Sequence, residues 1–437
     1  MAMPIVTMSL PVNVFMTALV AKAFPLPNMT IGLISALPFF GNFLQIFVAP
    51  FLAKWKPPKV IAVSAAALHL VTWAALGGLL PLVPRDNPTA AGHWLIAWFL
   101  VSSCFAAVAG VSWNAWIQEW VPGRLRGKFF GRRNGALQVS TLTFFLVTGW
   151  ALARWNYAVP VFQLIIAGAV FLRVFSLRCQ WVSPTRVHRP DLVAPLPFLE
   201  QVGVLGRARS LLVFIAFGAT WSFAANCFGP FYYIFMFDQL RFSAFDVGVL
   251  ATLAQLGGAL SLPAWGRLLD RYGNKPVMTF SLILWGVQNF LWCFITPANR
   301  GWLYAMWVWS GITGAGFVLG QFTILLRLIP LKAKSLAIGL NLAVTSLVAA
   351  SAPIIGGAVL TWALGRWSDA LAVYHVCFLL QPVMALASCA LLLSVHEPQA
   401  SPLTMVFGAM RNVRTLSGVL GLSFLVNYVF YRPPQKR

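Results

Sequence analysis

Residues 87–118 read NPTAAGHWLIAWFLVSSCFAAVAGVSWNAWIQ, and they contain no Asp, Glu, Lys or Arg. A helix needs about 20 predominantly apolar residues to cross the hydrocarbon core of a bilayer. Backbone that faces lipid must satisfy its hydrogen bonds internally, which leaves only helices or a closed barrel whose strands are about ten residues long. The stretch is far too long for a barrel strand, so it predicts a transmembrane helix.

Eleven further stretches share this property, so the sequence predicts an all-α polytopic membrane protein with twelve transmembrane helices. Each stretch is at least 18 residues long and lacks all four charged residue types. Numbered in chain order as predicted helices 1 to 12, they are residues 1–21, 23–53, 60–84, 87–118, 134–153, 155–172, 210–237, 247–266, 276–299, 301–326, 335–365 and 370–396.

The composition also indicates a surface that faces lipid. Of the 437 residues, 59% are hydrophobic and 9% are charged, whereas soluble proteins average about 25% charged. A soluble globule and a disordered chain are therefore excluded. A net charge of +22 would suggest nucleic acid in a soluble protein, but here the bases lie in short clusters between apolar stretches. That distribution is a topology signal, so we expect the lipid bilayer as a partner and no nucleic acid.

One gap between the stretches is much longer than the others and divides the helices six and six. It runs from Arg173 to Arg209 and is rich in proline and arginine. The predicted organisation is an N-terminal six-helix bundle in residues 1–177, a cytoplasmic linker in 178–208, a C-terminal six-helix bundle in 209–395 and a cytoplasmic tail in 396–437. A further uncharged stretch, 415–431, is flanked by bases, and we expect an interfacial helix there rather than a thirteenth crossing.

Lysine and arginine are distributed unequally between the two sides of the membrane. The even-numbered loops, the linker and the tail hold 24 of them, and the odd-numbered loops hold six. The positive-inside rule then places both termini in the cytoplasm and the multi-pass chain in the cytoplasmic (inner) membrane. No base precedes predicted helix 1, so either later loops set the orientation or the chain starts upstream. Arg173 lies inside predicted helix 6, about one turn from its basic end, and is expected to snorkel.

Residues 266–275 read GRLLDRYGNK and follow predicted helix 8. They resemble the signature loop of the major facilitator superfamily, Gly-x-Leu-x-Asp-Arg-x-Gly-Arg-Lys, which lies between helices 2 and 3 and often again between helices 8 and 9. The loop departs from the signature at Asn274, and it matches at Gly266, Leu268, Asp270, Arg271, Gly273 and Lys275. The first-half loop, PFLAKWKPPK at residues 50–59, keeps only Leu52 and Lys59, and Lys54 stands where the acid is expected.

An internal repeat supports two homologous halves. At a constant offset of 208, Pro122, Arg126, Gly131 and Arg133 align with Pro330, Lys334, Gly339 and Asn341. The resemblance to the superfamily covers about residues 5–395. It implies the major facilitator fold, in which two six-helix bundles rock about a site near the membrane midplane.

The charged loops suggest a gate on the cytoplasmic side. We expect Asp270 near the start of predicted helix 5, within reach of Arg132 or Arg133, when that side is closed. The alternative is that these charges only set topology and contact lipid. The gating and motif residues are Gly266, Asp270, Arg271, Gly273, Lys275, Glu119, Arg126, Arg132 and Arg133.

Polar residues inside the spans are the candidates for solute binding, because they are costly in a membrane. The resemblance implies that helices 1, 4, 7 and 10 line the central cavity. The predicted substrate-binding residues are Asn13, Asn114, Gln118, Trp221, Asn226, Tyr233 and Gln321. The alternative is that such amides hold helices together. Further amides in other spans include Gln138 and Gln255.

No Asp or Glu lies deep inside any span, which argues against a proton-driven drug exporter and a permanently cationic solute. His69 and His375 lie in spans and are interpreted as packed polar residues; the alternative is that they substitute for such a carboxylate in proton coupling. The chain has no P-loop and no plausible metal or triad cluster, so we expect no enzyme and no cofactor. The predicted function is secondary transport of a small neutral or aromatic solute by a monomer. The alternative is a non-transporting membrane assembly or pigment-biogenesis factor on the same scaffold.

Overall fold

A computed structural model describes residues 2–53, 57–120, 123–183, 197–330, 333–397 and 400–411, and all regular structure in these ranges is helical. The helices of the first half are α1 (Met3–Met8), α2 (Val14–Ala18), α3 (Asn28–Ala53), α4 (Pro58–Leu79), α5 (Pro88–Trp120), α6 (Gly123–Arg154) and α7 (Val159–Val182). The others are α8 (Phe198–Arg207), α9 (Arg209–Cys227), α10 (Gly229–Asp238), α11 (Ala244–Tyr272), α12 (Asn274–Asn289), α13 (Trp302–Leu328), α14 (Lys334–Arg366), α15 (Ala370–Ser394) and α16 (Leu403–Arg411).

The predicted all-α membrane class is confirmed. Within the described residues, ten helices are long and apolar enough to cross a membrane, and each corresponds to one of the predicted stretches. Two shorter apolar helical stretches, Val14–Ala23 and Asn28–Leu44, correspond to predicted helices 1 and 2. The tail stretch 415–431 lies outside the described residues.

Predicted helix 1 is a pair of short helices, α1 and α2, rather than one continuous span. Pro11 in the intervening turn has no backbone N–H to donate. Asn13 ends the turn: its side chain accepts a hydrogen bond from the Met16 N–H at 2.8 Å and donates to the carbonyls of Met8 and Leu10. The amide therefore replaces hydrogen bonds that the broken helix lacks.

Two long helix crossings join the first half to the second. Helix α3 packs against α14, and α6 packs against α11. A Cβ atom on Gly248 of α11 would lie 2.7 Å from the Phe145 carbonyl oxygen, and one on Gly357 of α14 would lie 2.7 Å from the Asn28 carbonyl oxygen. Glycine is required at both positions because the backbones approach closely, as is common between membrane helices.

Two ends of the molecule are distinguished by charge. The basic end carries Lys59, Arg133 and Lys275, and the opposite end carries Lys22 and Asp238. At the opposite end the two halves touch through polar contacts as well as packing. Lys22 Nζ lies 2.6 Å from Asp238 Oδ1.

Candidate functional site

A cavity of about 880 Å³ lies between the halves. Helix α6 of the first half supplies one wall, and α10, α11, α12 and α13 of the second half supply most of the rest. The cavity extends from Tyr232 and Trp292 to Asn134 and Phe322, which lie near the basic end of α6 and α13. Its size is within the range of pockets that enclose drug-sized ligands.

The cavity wall, as far as the structure describes it, contains no Asp, Glu, Lys, Arg or His. Amides, hydroxyls and indoles provide its hydrogen-bonding groups, and these offer donors and acceptors without fixed charge. The polar and indole side chains on the wall are Asn134, Gln138, Tyr232, Tyr233, Gln255, Trp285, Gln288, Asn289, Trp292, Trp307, Ser310 and Gln381.

Two buried polar atoms of wall residues have no hydrogen-bond partner among the described residues. They are the carbonyl oxygen Oε1 of Gln288 and the indole Nε1 of Trp307. Gln288 is only 7% exposed. A buried polar group without a partner is costly. Both side chains belong to the cavity wall, and a bound molecule would pair with these two atoms once the side chains turn towards the cavity.

The end of the cavity farthest from the basic end is closed by aromatic side chains. The Tyr232 ring stacks on Phe378 with centroids 4.1 Å apart and lies 4.5 Å from the Trp292 ring. The Tyr232 hydroxyl donates to Gln381, whose amide in turn donates to the Ala225 carbonyl at 3.3 Å. The polar groups at this closed end, which we call the cavity floor, therefore have their hydrogen-bond partners within the protein.

Beyond this floor, contacts between the halves close the opposite end. The Tyr157 hydroxyl, in the turn between α6 and α7, accepts a hydrogen bond from the Ala244 N–H at 3.1 Å. Burial raises the pKa of this phenol, the hydrogen bond from Ala244 lowers it, and the nearby Asp246 carboxylate raises it further, for a net increase. Tyr157 therefore stays neutral at physiological pH and can act as an acceptor at this contact.

The halves also meet by a hydrogen bond within the cavity itself. Gln138 Nε2 of α6 donates to Gln255 Oε1 of α11 at 3.2 Å. The α6–α11 crossing brings these two amides face to face. They were recognised in the sequence as polar span residues but were not assigned to the site.

Of the predicted substrate-binding residues, the structure places Tyr233 on the cavity wall. Trp221 lies behind the wall, with its ring centroid 5.4 Å from that of Trp285. The Asn226 amide donates to the Ser222 carbonyl of its own helix at 2.8 Å. Asn13 is 1% exposed and is occupied by the turn between α1 and α2.

Helix α5, which is predicted helix 4, contributes no described residue to the cavity, so the lining by helix 4 that the resemblance implied is not observed. Asn114 of α5 is exposed, and Gln321 of α13 is half-buried but not on the wall. The side chain of Gln118 lies outside the described residues. Gln288 and Asn289 were not selected from the sequence, although an amide pair inside an apolar stretch was an available signal.

The predicted gate residues lie at the basic end but do not pair as expected for the closed state. Asp270 and Arg132 are exposed, and Asp270 forms no ion pair with any residue that the structure describes. The Arg133 guanidinium lies over the Trp113 ring, 4.2 Å from its centroid. Arg271 lies over the neighbouring Tyr272 ring. The side chains of Glu119 and Arg126 lie outside the described residues.

The motif loop itself forms a tight turn. Gly273 links α11 to α12 with a φ of 94°, in the region that favours glycine. Gly266 lies within the last turns of α11. Lys275 Nζ donates to the carbonyls of Leu393 and Val395 at the end of α15.

The acid that serves this loop is Glu397, which sequence analysis did not identify. Its buried carboxylate accepts hydrogen bonds from the backbone N–H groups of Asn274 and Lys275, at 3.2 and 2.7 Å. It also accepts from the Asn274 amide at 2.7 Å and from Arg327 at 3.1 Å. A carboxylate at the first turn of α12 satisfies free N–H groups and interacts favourably with the helix dipole. Asp270 was expected near the start of predicted helix 5, which is α6. The acid that binds a helix N-terminus at this loop is instead Glu397, at the start of α12.

The fold and sequence are similar to those of known transporters. A D-xylose–proton symporter superposes with a TM-score of 0.68 at 12% identity, covering 92% of this chain and 98% of the symporter. A mutant of the nucleoside transporter NupG superposes with a TM-score of 0.67 at 13% identity, covering 91% and 97%. A bacterial homologue of the human lysosomal transporter Spinster, in an inward-facing and unoccupied conformation, gives 0.64 at 14% identity, covering 98% and 97%.

Sequence relatives match shorter regions. The efflux pump dotC of Dothistroma septosporum is 30% identical over 112 residues, which are 26% of this chain and 19% of dotC. The uncharacterised transporter YfiU of Bacillus subtilis is 31% identical over 116 residues, 26% of this chain and 22% of YfiU. These alignments span about a fifth of the length of each relative. The family model described as Major Facilitator Superfamily matches residues 212–433, which is half of the sequence, and the chain therefore belongs to the major facilitator superfamily.

Proposed function

We propose that the protein is a secondary transporter that moves a small neutral solute with a flat or aromatic part across the cytoplasmic membrane. The observation that carries this proposal is the cavity between the halves: among the described residues its wall has no charged side chain, and Gln288 Oε1 and Trp307 Nε1 have no hydrogen-bond partner. A charged solute would have no counter-charge on this wall, and its desolvation would be uncompensated.

The solute would present one hydrogen-bond donor to Gln288 Oε1 and one acceptor to Trp307 Nε1. Its flat part would stack on the aromatic rings of the same wall, of which Tyr233 and Trp307 already meet edge to face at 5.8 Å. The cavity, at about 880 Å³, is large enough for a drug-sized solute. The efflux pump among the sequence relatives makes export the direction to test first.

The proposed mechanism is alternating access with twelve crossings and both termini in the cytoplasm. Opening the opposite end would require the Lys22–Asp238 ion pair and the Tyr157–Ala244 hydrogen bond to separate. Closing the basic end would bring the loop that carries Asp270 towards the start of α6. The close crossings of α3 with α14 and α6 with α11 are the surfaces on which the halves would rock.

A scaffold protein that transports nothing is the alternative. It would have no need for a cavity of this size whose wall leaves polar atoms unpaired. The cavity therefore favours transport over an assembly or pigment-biogenesis role.

The test is a thermal-shift screen of the purified protein against neutral aromatic amides and nucleosides, aromatic carboxylates and aromatic amines. We expect stabilisation by neutral compounds only. For a compound that binds, Gln288→Leu and Trp307→Phe should each weaken the affinity at least about tenfold, because each removes one hydrogen bond and Trp307→Phe also removes one ring from the wall.

The matched control is Gln180→Leu on α7, whose amide bonds to Ser176 away from the cavity. This variant should bind as tightly as the natural protein. Stabilisation by carboxylates or amines but not by neutral compounds would contradict the proposed solute class. Unchanged affinity in both cavity variants would contradict the site.

A further inference from the structure

The first half contains a buried arginine that the solute cavity does not use. Arg173 of α7 is only 7% exposed. It lies nine residues before the end of α7 at Val182, or about 14 Å from that end at 1.5 Å per residue. The expectation that Arg173 snorkels to the membrane surface is wrong, because its side chain points into the first half rather than out along the helix.

Hydrogen bonds between α4 and α7 fix where Arg173 lies. Lys59 at the start of α4 bonds to carbonyls at the end of α7, and Gln163 near the start of α7 donates to the Gly77 carbonyl near the end of α4 at 2.7 Å. This antiparallel register places Arg173 level with His69, and the two side chains interact electrostatically.

His69 belongs to a small buried polar cluster at this level. Its Nε2 accepts a hydrogen bond from Trp73 Nε1 at 3.0 Å and lies 3.1 Å from the Ser9 hydroxyl. Ser9 lies in the turn that interrupts predicted helix 1. The hydroxyl of Thr7, two residues earlier, is fully buried and has no hydrogen-bond partner among the described residues.

The charge of Arg173 has no counter-charge within the described part of the chain. Its Nε forms no hydrogen bond, and the side chain has no ion pair or ring contact there. The sequence before the linker contains two acidic residues, Asp86 in the loop before α5 and Glu119 at the end of α5, and neither position is at this level. A buried, unpaired guanidinium is strongly unfavourable in a membrane protein, and such residues face a partner or a pathway.

We propose that Arg173 binds a small monovalent anion inside the first half, and that chloride fits this site. The guanidinium supplies several N–H donors, and the unpaired Thr7 hydroxyl on the neighbouring α1 is a further donor. A single negative charge balances the arginine, whereas a divalent anion would leave an excess of negative charge in the bundle. The site is separate from the solute cavity, because no described residue of α4 or α7 lines that cavity.

The test measures the melting temperature of the full-length protein in a neutral detergent while chloride replaces gluconate at constant ionic strength. We expect a saturable rise in melting temperature for the natural protein, because an ion that binds only the folded state stabilises it. Arg173→Gln should abolish the dependence on chloride. The control Arg178→Gln, at an exposed position on the same helix, should keep it.

The proposal is overturned if chloride does not raise the melting temperature of the natural protein. It is also overturned if chloride raises the melting temperature of Arg173→Gln by the same amount. If Arg173→Gln does not fold, the test is anomalous diffraction from crystals of the natural protein grown in bromide. An anomalous peak beside the Arg173 guanidinium supports the site. The site is refuted if no peak lies there, or if the guanidinium contacts a lipid phosphate instead. None of these measurements uses a solute, so they succeed or fail independently of the transport proposal.

Discussion

The two motif loops, residues 50–59 in the first half and 266–275 in the second, have diverged in sequence but share one contact. Lys275 Nζ donates to the Leu393 and Val395 carbonyls at the end of the last span of its half. Lys59 Nζ donates to the Trp181 and Ser183 carbonyls at the end of the last span of the other half, at 2.8 and 2.6 Å. Lys59 is therefore a structural residue and not only a topology charge.

The loops differ in how the following helix begins. Helix α12 begins at Asn274 and Lys275, whose N–H groups are bound by Glu397. Helix α4 begins at Pro58 after Pro57, and prolines have no N–H group to bind. A lysine that binds carbonyl groups tolerates changes in the surrounding sequence, because every residue has a carbonyl. A carboxylate clamp requires an acid at one defined position, and it is present in the second half.

The largest effect is expected from removing that clamp. Glu397→Ala should lower the free energy of unfolding by about 3 kcal/mol, because it leaves several donors at the start of α12 without their charged acceptor. The measurement is the thermal or denaturant-induced unfolding of the purified protein. Asp86→Asn, at an exposed acid in a loop of the first half, is the control and should change stability by less than about 0.5 kcal/mol. Equal effects of the two changes would show that the clamp is not stabilising.

The shared lysine contact should be of similar strength in both halves. Lys59→Met and Lys275→Met each remove two charge-assisted hydrogen bonds from a half-buried ammonium group, and each should cost about 1–2 kcal/mol. Unfolding of the two variants side by side measures this. If only Lys275→Met is destabilising, the equivalence of the two loops is refuted.

Asn274 stands where the family signature has Arg, and we expect this asparagine to stabilise the protein. Asn274 is buried, its amide donates to Glu397, and its Oδ1 accepts from Thr323 at 2.7 Å. Asn274→Arg, which restores the residue of the family signature, should therefore lower stability by about 1–2 kcal/mol. The control is Arg271→Lys in the same loop, which changes an exposed side chain and should leave the free energy of unfolding nearly unchanged. A gain in stability for Asn274→Arg would contradict the assigned contacts.

The smallest effect on stability is expected at Asp270, which is exposed and unpaired among the described residues. Asp270→Asn should change stability by no more than about 0.5 kcal/mol, yet it should slow transport of any solute identified by the screen. The physical reason is that Asp270 is proposed to pair with Arg132 or Arg133 only when the basic end closes. Transport in proteoliposomes is the measurement, and an unchanged rate would remove Asp270 from the gate.

The limits of prediction differ between the fold and the site. Uncharged stretches alone predicted the helical class and the long spans from α4 onward, most of them within about two residues at each end; the largest difference is the end of α7, which was predicted at residue 172 and lies at Val182. The break in predicted helix 1 was missed, because residues 1–21 are uncharged throughout and only the local chemistry of Pro11 and Asn13 marks the turn. Of the predicted substrate-binding residues, Tyr233 lies on the cavity wall, and Gln288, which also lies there, was not selected from the sequence.

The site was harder to predict because lipid is as apolar as a protein interior. In a soluble helix the polar face marks the outside, but both the lipid-facing and the buried faces of a membrane helix are apolar. An amide that lines the cavity, such as Gln255, therefore has the same sequence signature as one that bonds its own helix, such as Asn226. Only the α6–α11 crossing decides which amides face each other.

The sequence by itself determined that the chain crosses a membrane many times as helices, because that follows from local composition and from the cost of unpaired backbone in lipid. It also contains the family signature at residues 266–275, which can be recognised without the tertiary structure because its residues are contiguous. The tertiary structure decided which residues lie together across long separations. Glu397 reaches Asn274 over 123 positions, and Arg173 lies beside His69 with no acid at that level. Such contacts depend on helix rotation and register, which composition does not specify, because packing in a membrane is set by shape and by a few polar contacts.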